Sequence, residues 1–221
     1  DNYAAQMNPV LGTYFLNSIV VGLASAVLAT LAGALAAYGL ARFRLRGGSA
    51  IMMFFMASLA FPIPLLMLSM YIMFVRLDLI DSYVALMIGH TVITLPVTVW
   101  LLKSFFEQLP VEVEEAAYVD ASPAYTFFRI VLPMARPALM ASAIFVFVTS
   151  WNELLFGLTF TTKTAMRPLP AGISMTFLTE FEGAWSEMMA LALLVSLPIF
   201  LLFILFQRAF MQGVTAGAVK G

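Results

Sequence analysis

Residues 14–41 read YFLNSIVVGLASAVLATLAGALAAYGLA, an apolar run without one charged side chain. It exceeds the about 20 helical residues that cross a hydrocarbon core of about 30 Å. Four further runs, 50–75, 83–102, 138–160 and 188–206, are of comparable reach. Each is continuously apolar, whereas barrel strands are short and alternate lipid-facing with lumen-facing residues. Backbone groups in lipid have no water to bond, and a helix satisfies them within one segment. The expected fold class is therefore an all-α polytopic membrane protein with five spans.

The composition agrees. Hydrophobic residues make up 62% of the chain and charged residues 10%, against the about 25% charge of soluble domains. Pro62 and Pro64 fall inside the second run and Pro198 inside the fifth. Kinks or unwound turns are expected there, and Pro96 offers the same in the third run.

Orientation follows from Lys and Arg, which accumulate in cytoplasmic loops. Alternating the spans gathers Arg42, Arg44, Arg46, Lys103, Arg129, Arg136, Arg208 and Lys220 on one side and leaves Arg76, Lys163 and Arg167 on the other. The richer side is read as cytoplasmic. Loop 103–136 and the tail 209–221, with the C-terminus, then lie inside. The loops 76–82 and 161–187 lie outside, as does Asp1. A chain starting at Asp1 on the outside implies a preceding N-terminal span; a cleaved secretory signal is the alternative, although no charged n-region with an apolar h-region is visible.

Several function classes are excluded. A net charge of −1, with basic residues spread as membrane flanks, does not suit nucleic acid. The absence of Cys removes thiolate metal sites and redox chemistry. No phosphate-cradling G-x-x-x-x-G-K-[ST] loop and no H-E-x-x-H pattern occurs, and His90 is the single histidine. The chain is not expected to be an enzyme, to hold a metal or to hydrolyse ATP by itself.

Loop 103–136 is an island of charge and small residues. Pro110 suits a helix start, and the Glu- and Ala-rich stretch 111–120 suits a short helix. Ser122 before Pro123 reads as the N-cap of a second helix through Phe127 and Phe128, ending at Pro133. Glu112, Glu114, Glu115 and Asp120 would set register by charge. Ala116 and Ala117 permit close approach, and Tyr125, Phe127 and Phe128 offer apolar knobs. Composition alone fits a docking surface and equally a solvated connector.

Glu115-Ala116-Ala117-x-x-Asp120, followed by Ile130-x-Leu132-Pro133 and Pro137, resembles the EAA loop of binding-protein-dependent ABC importer permeases. Asn17-Ser18, Ala37-Tyr38-Gly39-Leu40-Ala41-Arg42-Phe43, Trp151-Asn152-Glu153 and the glycine-rich tail resemble the carbohydrate subfamily of the maltose-transporter type. The resemblance spans essentially the whole chain. It implies a type I importer transmembrane domain in the cytoplasmic (inner) membrane, moving a sugar or polyol by alternating access. It further implies a second homologous permease, two ATPase subunits that bind ATP and Mg, and an extracytoplasmic sugar-binding protein. Glu114, Glu115, Ala116, Ala117, Asp120, Ala121, Ser122, Phe127 and Phe128 would form the ATPase-coupling loop, and Thr215, Ala216, Gly217 and Lys220 a second ATPase contact. Ala121 stands where the family has Gly, which disfavours a positive φ in the turn. Either the turn is built differently or it is strained.

Glu153 is the one acidic residue inside a predicted span, and an ionisable group there needs a cavity or a partner. Trp151, Asn152 and Glu153 together offer an aromatic face, an amide and a carboxylate suited to sugar hydroxyls; an interhelix polar contact is the competing reading. His90 and Thr94 form a second polar spot that reads as packing, since no titratable neighbour is near in sequence. Met67, Met70 and Met73 read as gap-fillers. Two rivals stand beside the importer: an ATP-independent secondary transporter, which would show inverted repeats with broken helices, and a non-transporting membrane scaffold.

Overall fold

The computed structural model describes residues 9–43, 45–118, 121–177 and 185–218. All regular structure among them is helical. In chain order the helices are α1 (Pro9–Arg42), α2 (Gly48–Ser58), α3 (Ile63–Arg76), α4 (Tyr83–Phe106), α5 (Val111–Tyr118), α6 (Pro123–Met134), α7 (Arg136–Asn152), α8 (Leu155–Phe160), α9 (Leu169–Phe177) and α10 (Trp185–Ala218). A single 3₁₀ turn, Thr164–Met166, lies between α8 and α9.

Helix α1 is the axis of the bundle and packs along α4 and α7, with α10 packed mainly against α7. Between the buried Val21 and Tyr38 its buried face is small: Gly22, Ser25, Ala26, Ala29, Thr30, Gly33, Ala34 and Ala37. Its exposed face carries Leu16, Leu23, Val27, Leu31 and Leu35. Water would drive the large side chains inward. Lipid does not, so contact between helices comes from close approach of small residues. Gly33 shows how close: a Cβ built there would lie 2.4 Å from the Thr98 methyl of α4. Gly89 of α4 is less tight but still closed to a side chain, with its would-be Cβ 2.8 Å from Phe156 of α8.

Both α1 and α4 are long and apolar enough to cross a membrane, while α2 with α3 and α6 with α7 qualify only as bent pairs. The bend between α2 and α3 is 98°, so the second run is a broken span or re-entrant turn and not a kinked rod. Pro62 is the extended N-cap residue of α3 and Pro64 sits in its first turn, where a missing N–H costs no helical bond. Pro96 and Pro198, by contrast, lie within helices that continue through them. The fourth run is also interrupted: α7 stops at Asn152, and Glu153 and Leu154 separate it from α8. At the C-terminal end α10 stays helical to Ala218, beyond the boundary expected from the polar, glycine-rich composition.

Two networks fix the ends of the bundle. At one end Asn17 Nδ2 donates to the carbonyls of Ala165 (2.9 Å) and Arg167 (2.8 Å), and the Tyr83 hydroxyl donates to Asn17 Oδ1 at 2.6 Å. The Leu169 amide donates to Ser18 Oγ at 2.7 Å. Asp81, in the left-handed region at φ 59°, accepts from the amides of Thr162 (2.5 Å) and Lys163 (2.8 Å) and from the Thr162 hydroxyl. Loops 77–82 and 161–168 thus share one end. The opposite end carries Arg42, Lys103 and the α5–α6 hairpin.

Candidate functional site

The α5–α6 hairpin is built by local signals. Glu112 and Glu114 occupy the first turn of α5, where the helix dipole favours negative charge. Ser122 caps α6, its hydroxyl accepting from the Tyr125 amide at 3.3 Å, and Pro123 follows in the first turn. Between the helices the Ala121 amide donates to the Ala117 carbonyl at 2.9 Å. Among the described non-glycine residues only Asp78 and Asp81 have positive φ. The turn therefore accommodates Ala121 without the left-handed backbone that a Gly would supply. Asp120 lies outside the described residues.

Helix α6 ends at Met134, one residue past the Pro133 end expected from sequence. Residues 127–131 form a π-turn, in which the Leu132 amide bonds the Phe127 carbonyl, and the helix runs through Pro133 to Met134. The wider turn shifts the carbonyls that a proline ring would otherwise strike. A 77° bend then leads into α7.

Glu114 and Glu115, adjacent in sequence, have opposite fates. Glu114 is 3% exposed. Arg42 Nε donates to its Oε1 at 2.6 Å, and the Tyr38 hydroxyl donates to its Oε2 at 2.8 Å. The same guanidinium donates from Nη2 to the Leu109 carbonyl at 2.9 Å, and the Tyr38 and Tyr118 hydroxyls are 3.0 Å apart. The expected outward, register-setting role of Glu114 is thus replaced by an internal one. Phe127 is corrected likewise: it is buried, its ring 4.7 Å from that of Tyr38. The free surface includes Glu112, Glu115 and Ala116 on α5 and Tyr125 and Phe128 on α6, with Ala117 half-buried.

The second candidate lies within the bundle. Trp151 is fully buried, its Nε1 donating to the Val195 carbonyl at 3.2 Å and its ring against Phe15 and Phe147. It presents no aromatic face to a path; of the two readings of Trp151, the interhelix polar contact is the one its bond to Val195 matches. Asn152 is exposed, with Nδ2 donating to the Val148 carbonyl at 2.8 Å. Glu153 leaves the helix at ψ 123°, and its carboxylate turns forward to accept the Phe156 amide at 2.9 and 3.1 Å, capping α8.

That turn brings Glu153 to His90, the neighbour that local sequence did not reveal. His90 Nδ1 lies 2.6 Å from Ser150 Oγ, its Nε2 lies 3.6 Å from Glu153 Oε2, and its ring stacks on Phe156. A separation of 3.6 Å exceeds a hydrogen bond, so Nε2 is a buried nitrogen with no hydrogen-bond partner. Thr94 is buried beside them, but its hydroxyl donates back to the His90 carbonyl at 2.7 Å. Of the residues expected along a path, Asn152, Glu153 and His90 stand at the α7–α8 break; Thr94 and Trp151 serve packing.

Asn17 and Ser18 enter the sequence reading only through the resemblance, and Asp81 and Tyr83 have no role in it; Asn17 and Ser18 lie inside α1 and bond partners far along the chain, which no local pattern reveals. Burial pushes the Asp81 carboxyl up. The Thr162 hydroxyl, the Lys163 and Thr162 amides and the Lys163 charge outweigh it and hold the group below the usual carboxylate range. Thr215, Ala216 and Gly217 fall within α10, with their side chains outside the described part, and Lys220 lies outside the described residues.

Residues 9–216 match the family described as binding-protein-dependent transport system inner membrane component. The chain is 35% identical to the inner membrane ABC transporter permease protein YcjP of Escherichia coli (strain K12), over 100% of this chain and 80% of that one. It is 34% identical to the trehalose/maltose transport system permease protein MalG of Thermococcus litoralis, over 94% of this chain and 75% of that one. With the trehalose transport system permease protein SugB of Mycobacterium tuberculosis it shares 32%, over 100% and 82%. A crystal structure of a bacterial ABC transporter involved in the import of the acidic polysaccharide alginate has the same fold, with a TM-score of 0.78 at 21% identity, covering 95% of this chain and 79% of that one.

Proposed function

The chain belongs to the family of binding-protein-dependent transport system inner membrane components, and we propose that it is one of two permeases in an ATP-driven importer of a di- or oligosaccharide or related polyol. The carrying observation is the α5–α6 hairpin. It presents exposed Glu115, Ala116, Tyr125 and Phe128 at one end of an apolar helix bundle whose relatives are named as sugar ABC permeases.

In this reading the hairpin seats in a groove of a cytoplasmic ATPase, two copies of which serve this chain and a second homologous permease. ATP and Mg bind there and not in this chain. The hairpin end and the C-terminal end of α10 then face the cytoplasm, and Thr215, Ala216, Gly217 and Lys220 form a further ATPase contact. An extracytoplasmic sugar-binding protein meets the end formed by loops 77–82 and 161–168. Closure of the ATP-bound ATPase dimer draws the hairpin inward and opens the bundle outward, and hydrolysis reverses it. Each ligand shifts the equilibrium only by its differential affinity for the two states.

Along the path, Asn152 and Glu153 at the α7–α8 break offer an amide and a carboxylate to sugar hydroxyls, with His90 behind them. A helix break exposes backbone and side-chain polar groups that a continuous apolar rod hides, and such breaks are tolerated in membranes where protein or a cavity satisfies them. The test is coexpression with a P-loop ATPase, a partner permease and a secreted binding protein encoded nearby, followed by reconstitution and uptake of labelled trehalose, maltose and diacetylchitobiose. ATP-dependent uptake of any of them supports the reading. A purified complex lacking the ATPase, or uptake indifferent to ATP, overturns it.

A further inference from the structure

We infer that Tyr38 and Arg42 are positioning residues that tie the α5–α6 hairpin to the last turn of α1, so that displacement of the hairpin moves α1 instead of being absorbed in the connector 107–110. The inference rests on the hairpin being the ATPase dock.

The backbone of α5 approaches that of α6 closely. Its link to the membrane-spanning part depends on side chains, and three of them converge. Arg42 uses both arms of its fork, Nε to Glu114 Oε1 at 2.6 Å and Nη2 to the Leu109 carbonyl at 2.9 Å. It thereby holds α5 and the connector preceding it in one fixed relation. Lysine, with a single ammonium on a flexible stem, lacks the planar fork that spans two acceptors in this way. Tyr38, one turn earlier on the same face, donates to Glu114 Oε2 at 2.8 Å while its ring packs at 4.7 Å on Phe127 of α6. Both short helices of the hairpin thus bear on residues 38 and 42.

Burial makes this attachment stiff. The Arg42 and Glu114 side chains are 11% and 4% exposed, and a charge so placed cannot readily trade its partner for water. The far end of the link is equally firm, because α1 runs between α4 and α7 and carries its small residues in direct contact with them. Successive residues of a helix are turned by about 100°, so Glu115 points to the free surface while Glu114 points to α1. One acid is available to a partner and the other transmits.

The chain has no native Cys, so an Arg42→Cys/Glu114→Cys pair supplies its only thiols. The assembled importer carrying this pair is reconstituted in proteoliposomes. ATPase copurification, ATP hydrolysis with and without the binding protein, and uptake from a mixture of labelled trehalose, maltose and diacetylchitobiose are measured before and after bridging with a short bis-thiol reagent. The unbridged variant is expected to keep its ATPase but lose about tenfold of its binding-protein-stimulated uptake, and bridging is expected to restore it to within about threefold of the parent. Tyr38→Phe, which keeps the ring, is expected to give a smaller loss in the same direction.

Parent-like coupled uptake in the unbridged pair overturns the inference, as does a bridged pair that keeps its ATPase yet stays uncoupled. If the unbridged pair loses the ATPase, recovery of both ATPase and uptake on bridging supports the inference and failure to recover overturns it. Failure of the docking reading itself has a separate signature: Glu115→Lys would then leave complex yield and uptake unchanged.

Discussion

Nε2 of His90 on α4 lies 3.6 Å from Oε2 of Glu153, the residue at which α7 breaks. The carboxylate accepts the Phe156 amide in the first turn of α8 and faces the imidazole across the bundle without a hydrogen bond to it. Glu153→Ala is therefore expected to remove a cap worth about 1 kcal/mol and to lower the apparent Tm by about 2–4 °C. Uptake should fall further than this loss of stability explains. Thermal unfolding in detergent and proteoliposome uptake, both unchanged, would refute it.

The exposed acid and the half-buried alanine of α5 answer to the partner. Glu115→Lys or Ala117→Trp is expected to reduce ATP-coupled uptake by about tenfold, with the thermal stability of this chain retained because neither residue belongs to the Arg42 clamp. Uptake and complex yield equal to the parent's in both variants would remove the hairpin from the coupling path.

Close packing of α1 on α4 gives a steric prediction. Gly33→Ala places a methyl 2.4 Å from the Thr98 methyl carbon, an overpacking that costs about 1–3 kcal/mol. Thr98→Ser removes that methyl and should recover much of the loss in the double variant. A Gly33→Ala protein as stable as the parent would show that the helices separate at no cost.

Asp81 carries a pH signature. Its carboxyl is held below the usual range because hydrogen bonds and the Lys163 charge outweigh burial. A depressed acid stabilises the fold above its unfolded pKa of about 3.9 and loses that contribution as pH falls through its folded value. Hydrogen exchange in loop 161–168 should rise below about pH 4 in the parent. In Asp81→Asn it should be raised already at neutral pH and change little across that window. A parent profile that stays flat on acidification would contradict this role.

The local devices of the hairpin were legible in sequence because each acts over a few residues: Ser122 bonds the amide three positions on, and Pro123 fits a first turn. The end of α6 fell within one residue of Pro133, although the π-turn before it was not legible in sequence. Trp151 left two readings open in sequence, a ligand surface and an interhelix polar contact, and its nitrogen meets the Val195 carbonyl of another helix.

Residue order alone determined that this chain dissolves in lipid as helices, since an apolar run must satisfy its backbone within itself whatever surrounds it. It also determined the two short helices of the hairpin. Only the folded bundle decided that Glu114 turns to Arg42 while Glu115 faces outward, and that His90 meets Glu153 across two helices. Periodicity states which residues share a face; what stands opposite that face is set by packing between segments far apart in the chain.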